Sequence, residues 1–329
     1  MAQLRVRRII GFRANRQSGV ALITVLLIFA LAAIITSQVA SRNYRDIRKT
    51  ANFIDSKQSY HFALAGEQLA RQLLYRDFSE GDRTAVDSLS DNWANIDQVF
   101  DIENGSMTIE IIDLHSRFNV NNLIAEEDRV NRPAAEEFSR LQSQLELSQD
   151  YTDLVLDWID SDTLPREGGA EDEQYVESGY LAANQPLIDE TELRLLQQMT
   201  AADYERIKDS LTALPLAVND KKTGITKYNL NTLDAKLLKV LSVALDERQI
   251  SQIEQIQRQG GLDTVGQWTS RSGLADLASI SQQLTVRSEF FEVRVIANYQ
   301  QRISVIRTHL YRDKGDGQLI VIKRQQLFE

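Results

Sequence analysis

The sequence predicts an α+β fold: one long N-terminal helix, a small antiparallel sheet, and a large all-α block inserted between two parts of that sheet. Three observations predict it. An uncharged, mostly apolar run of 21 residues, Val20 to Ala40, continues without proline into a stretch of helical periodicity. Strand-like alternation occurs in two places far apart, residues 99–114 and 285–327. The region between them reads helical.

The helix comes first. Residues 1–19 carry Arg5, Arg7, Arg8, Arg13 and Arg16 and no acid. At ~1.5 Å rise per residue, the apolar run that follows matches a hydrocarbon layer of ~30 Å. The arginines before the span hold that end in the cytoplasm, so everything after Ser41 lies across the membrane. In a Gram-negative cell this means a single-pass inner-membrane protein with a periplasmic C-terminal part. A cleavable secretory signal has a shorter apolar core and an Ala-x-Ala-like site, of which residues 36–40 are a poor version. A plain single-pass anchor fits the hydropathy equally well. Beyond the span, Ile47, Ala51 and Ile54 share one helical face, as do Phe62, Ala65, Leu69 and Leu73. One helix is therefore expected from Val20 to about Tyr75.

The sheet is next. VFDIENGSMTIEIIDL, 99–114, reads as a hairpin turning at Asn104-Gly105. Later, Phe291, Val293 and Val295 share a face, as do Ile303, Val305 and Arg307 after a turn expected near Asn298. Lys314-Gly315-Asp316-Gly317 makes another turn before a strand from Gln318 to Leu327. Within the helical block, Phe118-Asn119-Val120-Asn121-Asn122-Leu123 is echoed by Tyr228-Asn229-Leu230-Asn231-Thr232-Leu233. Asn231 is expected as the N-cap of the following helix, with Asp234 in the capping-box position.

Composition excludes several functions. The net charge of −10 opposes nucleic acid as a partner, and the absence of cysteine excludes thiol catalysis and disulfides. The Asn-x-Asn entry resembles helix-hairpin-helix modules that hold DNA. Their Gly-x-Gly turn is missing here, where the chain reads Ser242 to Asp246, so a structural role is expected. His61, His115 and His309 stand in no nucleophile motif and are expected as packing or surface residues, and no enzymatic activity is expected. Glycosidase chemistry by paired carboxylates lacks an aromatic platform.

The acidity is local. Residues 150–192 hold 13 Asp or Glu against one base, Arg166, and contribute −12, leaving +2 for the rest. Inside this window DWIDSDTLPREGGAEDEQY, 157–175, sets hard oxygen donors on a bent, glycine-rich loop, as Ca²⁺ requires. Its spacing is not that of an EF-hand, and zinc is disfavoured without Cys or His nearby. A solvated acidic loop fits the spacing equally well.

A basic leader ending in glycine, an apolar helix and an amphipathic continuation resemble the type IV pilin and pseudopilin family. That resemblance implies cleavage between Gly19 and Val20 by a prepilin peptidase, with N-methylation of Val20. It also implies a pilin-like fold, the long helix packed on a small antiparallel sheet. Family members usually carry glutamate at the fifth mature position, where this chain has Thr24. The departure at Thr24, the length and the helical insert resemble the minor pseudopilin K family of the type II (general) secretion system. The K family carries Asp-Trp-Ile-Asp-x-Asp, then Gly-Gly-Ala-Glu-Asp and a tyrosine. Asp157, Trp158, Ile159, Asp160, Asp162, Gly168, Gly169, Ala170, Glu171, Asp172 and Tyr175 match it.

This second resemblance implies a non-enzymatic subunit at the tip of the periplasmic pseudopilus, aiding its initiation and protein export across the outer membrane. It implies I- and J-type minor pseudopilins as partners and structural Ca²⁺ as cofactor. The implied ligands are Asp160, Asp162, Glu171 and Asp172, with Asn184 and Asp189 as further candidates. Asp157 is expected to cap or orient, and Trp158 and Ile159 to enter the core. The expected organisation is a leader, 1–19; the transmembrane helix and first strands, 20–117; the inserted helical domain with its acidic loop, 118–283; and the C-terminal strands, 284–329. The alternative is a membrane-anchored periplasmic metal-binding scaffold or binding protein, which would keep its leader.

Overall fold

The computed structural model describes residues 18–80, 86–96, 99–125, 128–241 and 245–327. The expected leader, apart from Ser18 and Gly19, lies outside them, as do residues 242–244 of the missing glycine turn. The chain divides into two compact units, 1–57 and 58–329.

Helix α1 spans Ser18–Glu80, longer at both ends than expected, because no proline or glycine pair interrupts it. In the first unit, residues 19–54 are exposed throughout, including every apolar side chain from Val20 to Val39. The hydroxyls of Thr24 and Thr36 donate to the carbonyls of Ala21 and Ala32, at 2.8 Å each. These two hydroxyls are thus satisfied within the helix itself, which suits hydrocarbon surroundings.

In the second unit, β1 (Val99–Ile102) and β2 (Gly105–Asp113) form the expected hairpin. Its turn places Asn104 at φ 60°. Gly105 is required, since a Cβ there would overlap the Asn298 carbonyl. The helical block follows, with β3 (Phe118–Asn119), α2 (Arg132–Gln144), α3 (Thr152–Ile159), α4 (Asp172–Tyr175) and α5 (Ala201–Ile207). After these come β4 (Leu211–Thr212), β5 (Ala217–Val218), β6 (Lys221–Lys222), β7 (Tyr228–Asn229), α6 (Ala235–Leu241), α7 (Glu247–Arg258), α8 (Val265–Thr269) and β8 (Leu284–Thr285). The chain closes with β9 (Phe290–Tyr299), β10 (Arg302–Arg312) and β11 (Leu319–Leu327).

The main sheet is antiparallel, in the order β1-β2-β9-β10-β11, so β2 pairs with a strand more than 170 residues later. The β9–β10 turn falls at Gln300 and Gln301, both left-handed, two residues past the expected position. One sheet face, with Ile109, Val293, Val295 and Leu310, packs on Ala63, Ala70 and Leu74 of α1. Gly66 permits the approach: a Cβ there would sit 2.7 Å from Val295 Cγ1 and 2.8 Å from Met107 Sδ. Beneath the same face Glu67, fully buried, accepts from Arg324 Nε and Nη2 at 2.6 Å each and from Thr308 Oγ1 at 2.8 Å.

The helical block contains short strand pairs that periodicity does not reveal. β3 runs parallel to β4 and β7 parallel to β8, so each Asn-x-Asn copy opens on a two-residue bridge. The copies then repeat one device. Asn119 Oδ1 accepts from Asn121 N at 3.2 Å, and Asn229 Oδ1 from Asn231 N at 3.0 Å. The second asparagine of each copy grips both backbone groups of a distant leucine. Asn121 holds Leu187 at 2.8 and 2.9 Å, and Asn231 holds Leu262 at 3.0 and 3.2 Å. Asn231 is therefore a loop clip and not the expected N-cap. Asp234 meets the helix start instead, accepting from Lys236 N at 2.7 Å.

Asn231 also accepts from Trp268 Nε1 at 3.2 Å. Asn231→Ala removes three hydrogen bonds, one to buried Trp268 and two to half-buried Leu262, and is expected to cost about 2–4 kcal/mol. Thermal unfolding followed by circular dichroism checks this.

Candidate metal centre

Helix α3 is almost wholly buried from Leu154 to Ile159 and delivers its C-terminus to the acidic loop. Asp160 is the C-cap; its N–H closes the last helical bond to Leu156 O at 2.9 Å, and its backbone then turns extended. The chain bends at 160–162, where Asp162 Oδ1 accepts from Leu164 N at 2.8 Å, and turns again at 167–168. It returns through Gly168 and Gly169 to Glu171, where Gln174 Oε1 fixes the Glu171 N–H at 2.9 Å. Gly169 is needed here, because a Cβ would overlap Asp157 Oδ2.

This path gathers Asp160, Asp162 and Glu171, with one carboxylate oxygen from each within 4.8 Å of the others. Asp160 and Glu171 are buried, at 1% and 3% exposure, and Asp162 is exposed. Both Glu171 oxygens, Asp160 Oδ1 and Asn184 Oδ1 are buried and, among the described residues, accept no hydrogen bond. Asn184 is held nearby in a left-handed conformation, φ 47°, by a 3.0 Å bond from its N–H to Trp158 O. Buried oxygens left without donors beside other carboxylates are costly unless a cation joins them. The donors are all hard oxygens, a set suited to Ca²⁺ or Mg²⁺ and unsuited to zinc.

The electrostatics agree. Burial first, then the neighbouring Asp157, Asp160, Asp162 and Asp172, push the Glu171 carboxyl up to about 7. Burial also raises Asp160, against the opposing influence of Arg166. Arg166, which spacing did not assign, pairs with Asp157 Oδ1 and lies 2.5 Å from Asp160 Oδ2. Asp157, with no exposed surface, accepts from the Arg166 backbone N–H at 3.0 Å, the orienting role expected of it. Trp158 and Ile159 are core residues, Trp158 packing edge-on against Tyr175 at 5.1 Å.

Two expected ligands stand apart from this group. Asp172 opens α4, and its Oδ1 accepts from Ala182 N at 3.1 Å, tying down the far side of the loop. Asp189 belongs to a different network and corrects the expectation. Its Oδ1 accepts from Thr191 N at 2.8 Å, and its Oδ2 meets Arg307 Nη2 and Gln325 Nε2 at 3.0 Å each and pairs with Lys323. Asp189, with Glu190, ties the helical block to β10 and β11; its Oδ2 already meets two cations and its Oδ1 a backbone N–H. Asp128 was also missed in the sequence. It accepts from Ser161 N at 2.9 Å and steadies the start of the loop from 33 residues upstream.

A second acidic group, Asp77, Asp87 and Asp91, contains its own cation. Arg312 Nη2 bonds both Asp87 oxygens at 2.6 Å, and Nη1 lies 3.8 Å from Asp77. The histidines occupy packing or surface positions. His115 is bridged between Lys227 O and Glu289 N, His309 contacts Glu292, and His61 is exposed on α1.

Comparison with known proteins converges. A family model described as type II secretion system (T2SS), protein K matches residues 116–216. Type II secretion system protein K of Pseudomonas aeruginosa is 33% identical, over 94% of this chain and 92% of its own. The protein of that name from Aeromonas hydrophila is 31% identical over 94% and 97%, and that of Klebsiella pneumoniae 35% over 88% and 92%. The fold matches a solved structure described as the GspK-GspI-GspJ complex from the enterotoxigenic Escherichia coli Type 2 Secretion System. The TM-score is 0.68 at 23% identity, over 85% of this chain and 100% of the other. With relatives 31–35% identical across nearly the whole chain, this protein belongs to the type II secretion system protein K family, the minor pseudopilins that are structural components of that machinery.

Proposed function

We propose that this subunit is inserted in the inner membrane of a Gram-negative cell and caps the tip of the periplasmic pseudopilus, where it aids initiation and protein export. Its work is mechanical and not enzymatic. The exposed apolar face of Val20–Ala40 carries this reading, because it needs either lipid or a bundle of like helices around it. Thr24 bonds its own helix and offers no charge to the terminal amine of a preceding subunit, which suits a position with none ahead of it. The I- and J-type minor pseudopilins are the partners proposed, since the fold neighbour was solved in complex with proteins so named.

Processing by a prepilin peptidase between Gly19 and Val20, with N-methylation of Val20, is the decisive step. The intact mass of the membrane-extracted chain is expected to correspond to residues 20–329 plus one methyl group. Retention of residues 1–19 would leave a plain anchor and favour the scaffold alternative.

The proposed cofactor is Ca²⁺, held by Asp160, Asp162 and Glu171 with Asn184 as an additional donor. Asp172 supplies charge at longer range. The buried, unpartnered Glu171 carboxylate carries this assignment. The bound ion would neutralise charge that opposes closure of the loop, and so stabilise the helical block.

Added Ca²⁺ is expected to raise the melting temperature of the chelated protein, and Glu171→Gln to abolish most of that rise. The sign of the pH effect follows from Glu171. Its folded-state value, about 7, lies above the ordinary 4.5, so the calcium-free protein loses stability as pH rises through that window. Calcium displaces the proton, so the stabilisation it brings should be larger at pH 8 than at pH 6. Differential scanning fluorimetry at both pH values, with calcium and with chelator, measures this.

A further inference from the structure

The following rests on the calcium reading above. Arg166 is the one base among the 13 acids of residues 150–192, and it is folded inward. Its backbone N–H donates to Asp157 Oδ2 at 3.0 Å and its guanidinium pairs with Asp157 Oδ1. The same Nη1 reaches Asp160 Oδ2 at 2.5 Å, while Asp160 Oδ1 remains without a partner. Asp160 is thus divided, with one oxygen on the guanidinium and the other unpartnered among the described residues, while the residue as a whole belongs to the group with Asp162 and Glu171.

We propose that Arg166 is a tethered counter-cation that holds the acidic loop closed before calcium arrives and competes with the ion for Asp160. Removing one partner of a buried ion pair leaves the other uncompensated, so Asp157, fully buried, depends on Arg166 when no metal is bound. A positive charge beside the site also repels an incoming divalent cation and withholds an anionic oxygen from it. Arg166 would therefore exchange calcium affinity for order in the calcium-free state. A subunit that must fold and insert whatever the periplasmic calcium level would gain from this.

The test is calcium titration by isothermal calorimetry of the detergent-solubilised full chain, with thermal unfolding in chelator alongside. Arg166→Gln should lower the melting temperature in chelator by several degrees and tighten calcium binding about tenfold. Arg166→Lys retains a cation but loses the planar guanidinium whose Nη1 bridges Asp157 and Asp160. It should tighten calcium binding about two- to threefold, and it serves if Arg166→Gln does not fold without calcium.

Calcium binding that is unchanged or weaker in these variants would make Arg166 a residue that positions the ligands, and would overturn the proposal. So would an unchanged melting temperature of Arg166→Gln in chelator. Wild-type protein that takes up no calcium would instead overturn the metal reading itself, and this inference with it.

Discussion

Arg312→Ala is expected to lower the melting temperature by about 10 °C, a loss on the order of 3–5 kcal/mol. Arg312 is 5% exposed and its Nη2 bonds both oxygens of Asp87, which is 1% exposed, and the Ser288 carbonyl at 2.8 Å. Its guanidinium also stacks over Phe291, 4.8 Å from the ring centroid. Alanine removes the cation and leaves Asp87 buried beside Asp77 and Asp91.

The loss should depend on pH. Burial already lifts Asp87 to about 6 and Asp77 to about 7, both above the ordinary 3.8. Acids raised on folding are destabilising when ionised, so their cost appears as pH rises through those values and fades below them. Without Arg312 the Asp87 carboxyl rises further. The gap between variant and wild type is therefore expected to be widest near pH 8 and to shrink by pH 5. Thermal unfolding across that range decides it; a gap independent of pH would mean that lost packing, and not the stranded carboxylate, dominates.

Arg324→Ala should produce a loss of similar size, about 3–5 kcal/mol, by stranding Glu67. Glu67 lies on α1 beneath the sheet with no exposed surface, and without Arg324 it retains only the Thr308 hydroxyl. The converse change is milder. Arg324 is 35% exposed, so in Glu67→Ala its guanidinium can turn to water. A double variant that replaces both with methionine should recover most of the stability, since a buried ion pair is often no better than apolar packing. Melting temperatures ordered double variant, then Glu67→Ala, then Arg324→Ala would establish the asymmetry. Equal losses from the two single changes would contradict it.

Both pairs show where sequence reading stops. Helix α1 was legible because hydropathy and the absence of proline are local properties, and the hairpins were legible from alternation and an Asn-Gly turn. The outline of the acidic loop was legible too, since α3, the bend and the return to Glu171 lie within 20 residues. Even there spacing overreached. Asp189 is as acidic as its neighbours, but it points to β10 and β11, and nothing before residue 300 announces Arg307 or Lys323. The Asn-x-Asn echo was visible, while its meaning was not, because a buried amide clipping a leucine 31 or 66 residues away leaves no periodic trace.

By itself, the sequence determined what depends on neighbours along the chain: the apolar helix, the turns, the local concentration of carboxylates, and the family motif they form. Only the tertiary structure decided which of those carboxylates converge, which are neutralised by Arg166, Arg307 or Arg312, and which asparagines hold loops. The reason is physical. Burial and charge pairing are set by groups brought together from across the chain, and a side chain's hydrogen-bonding capacity says what it can meet, never which partner the fold will bring to it.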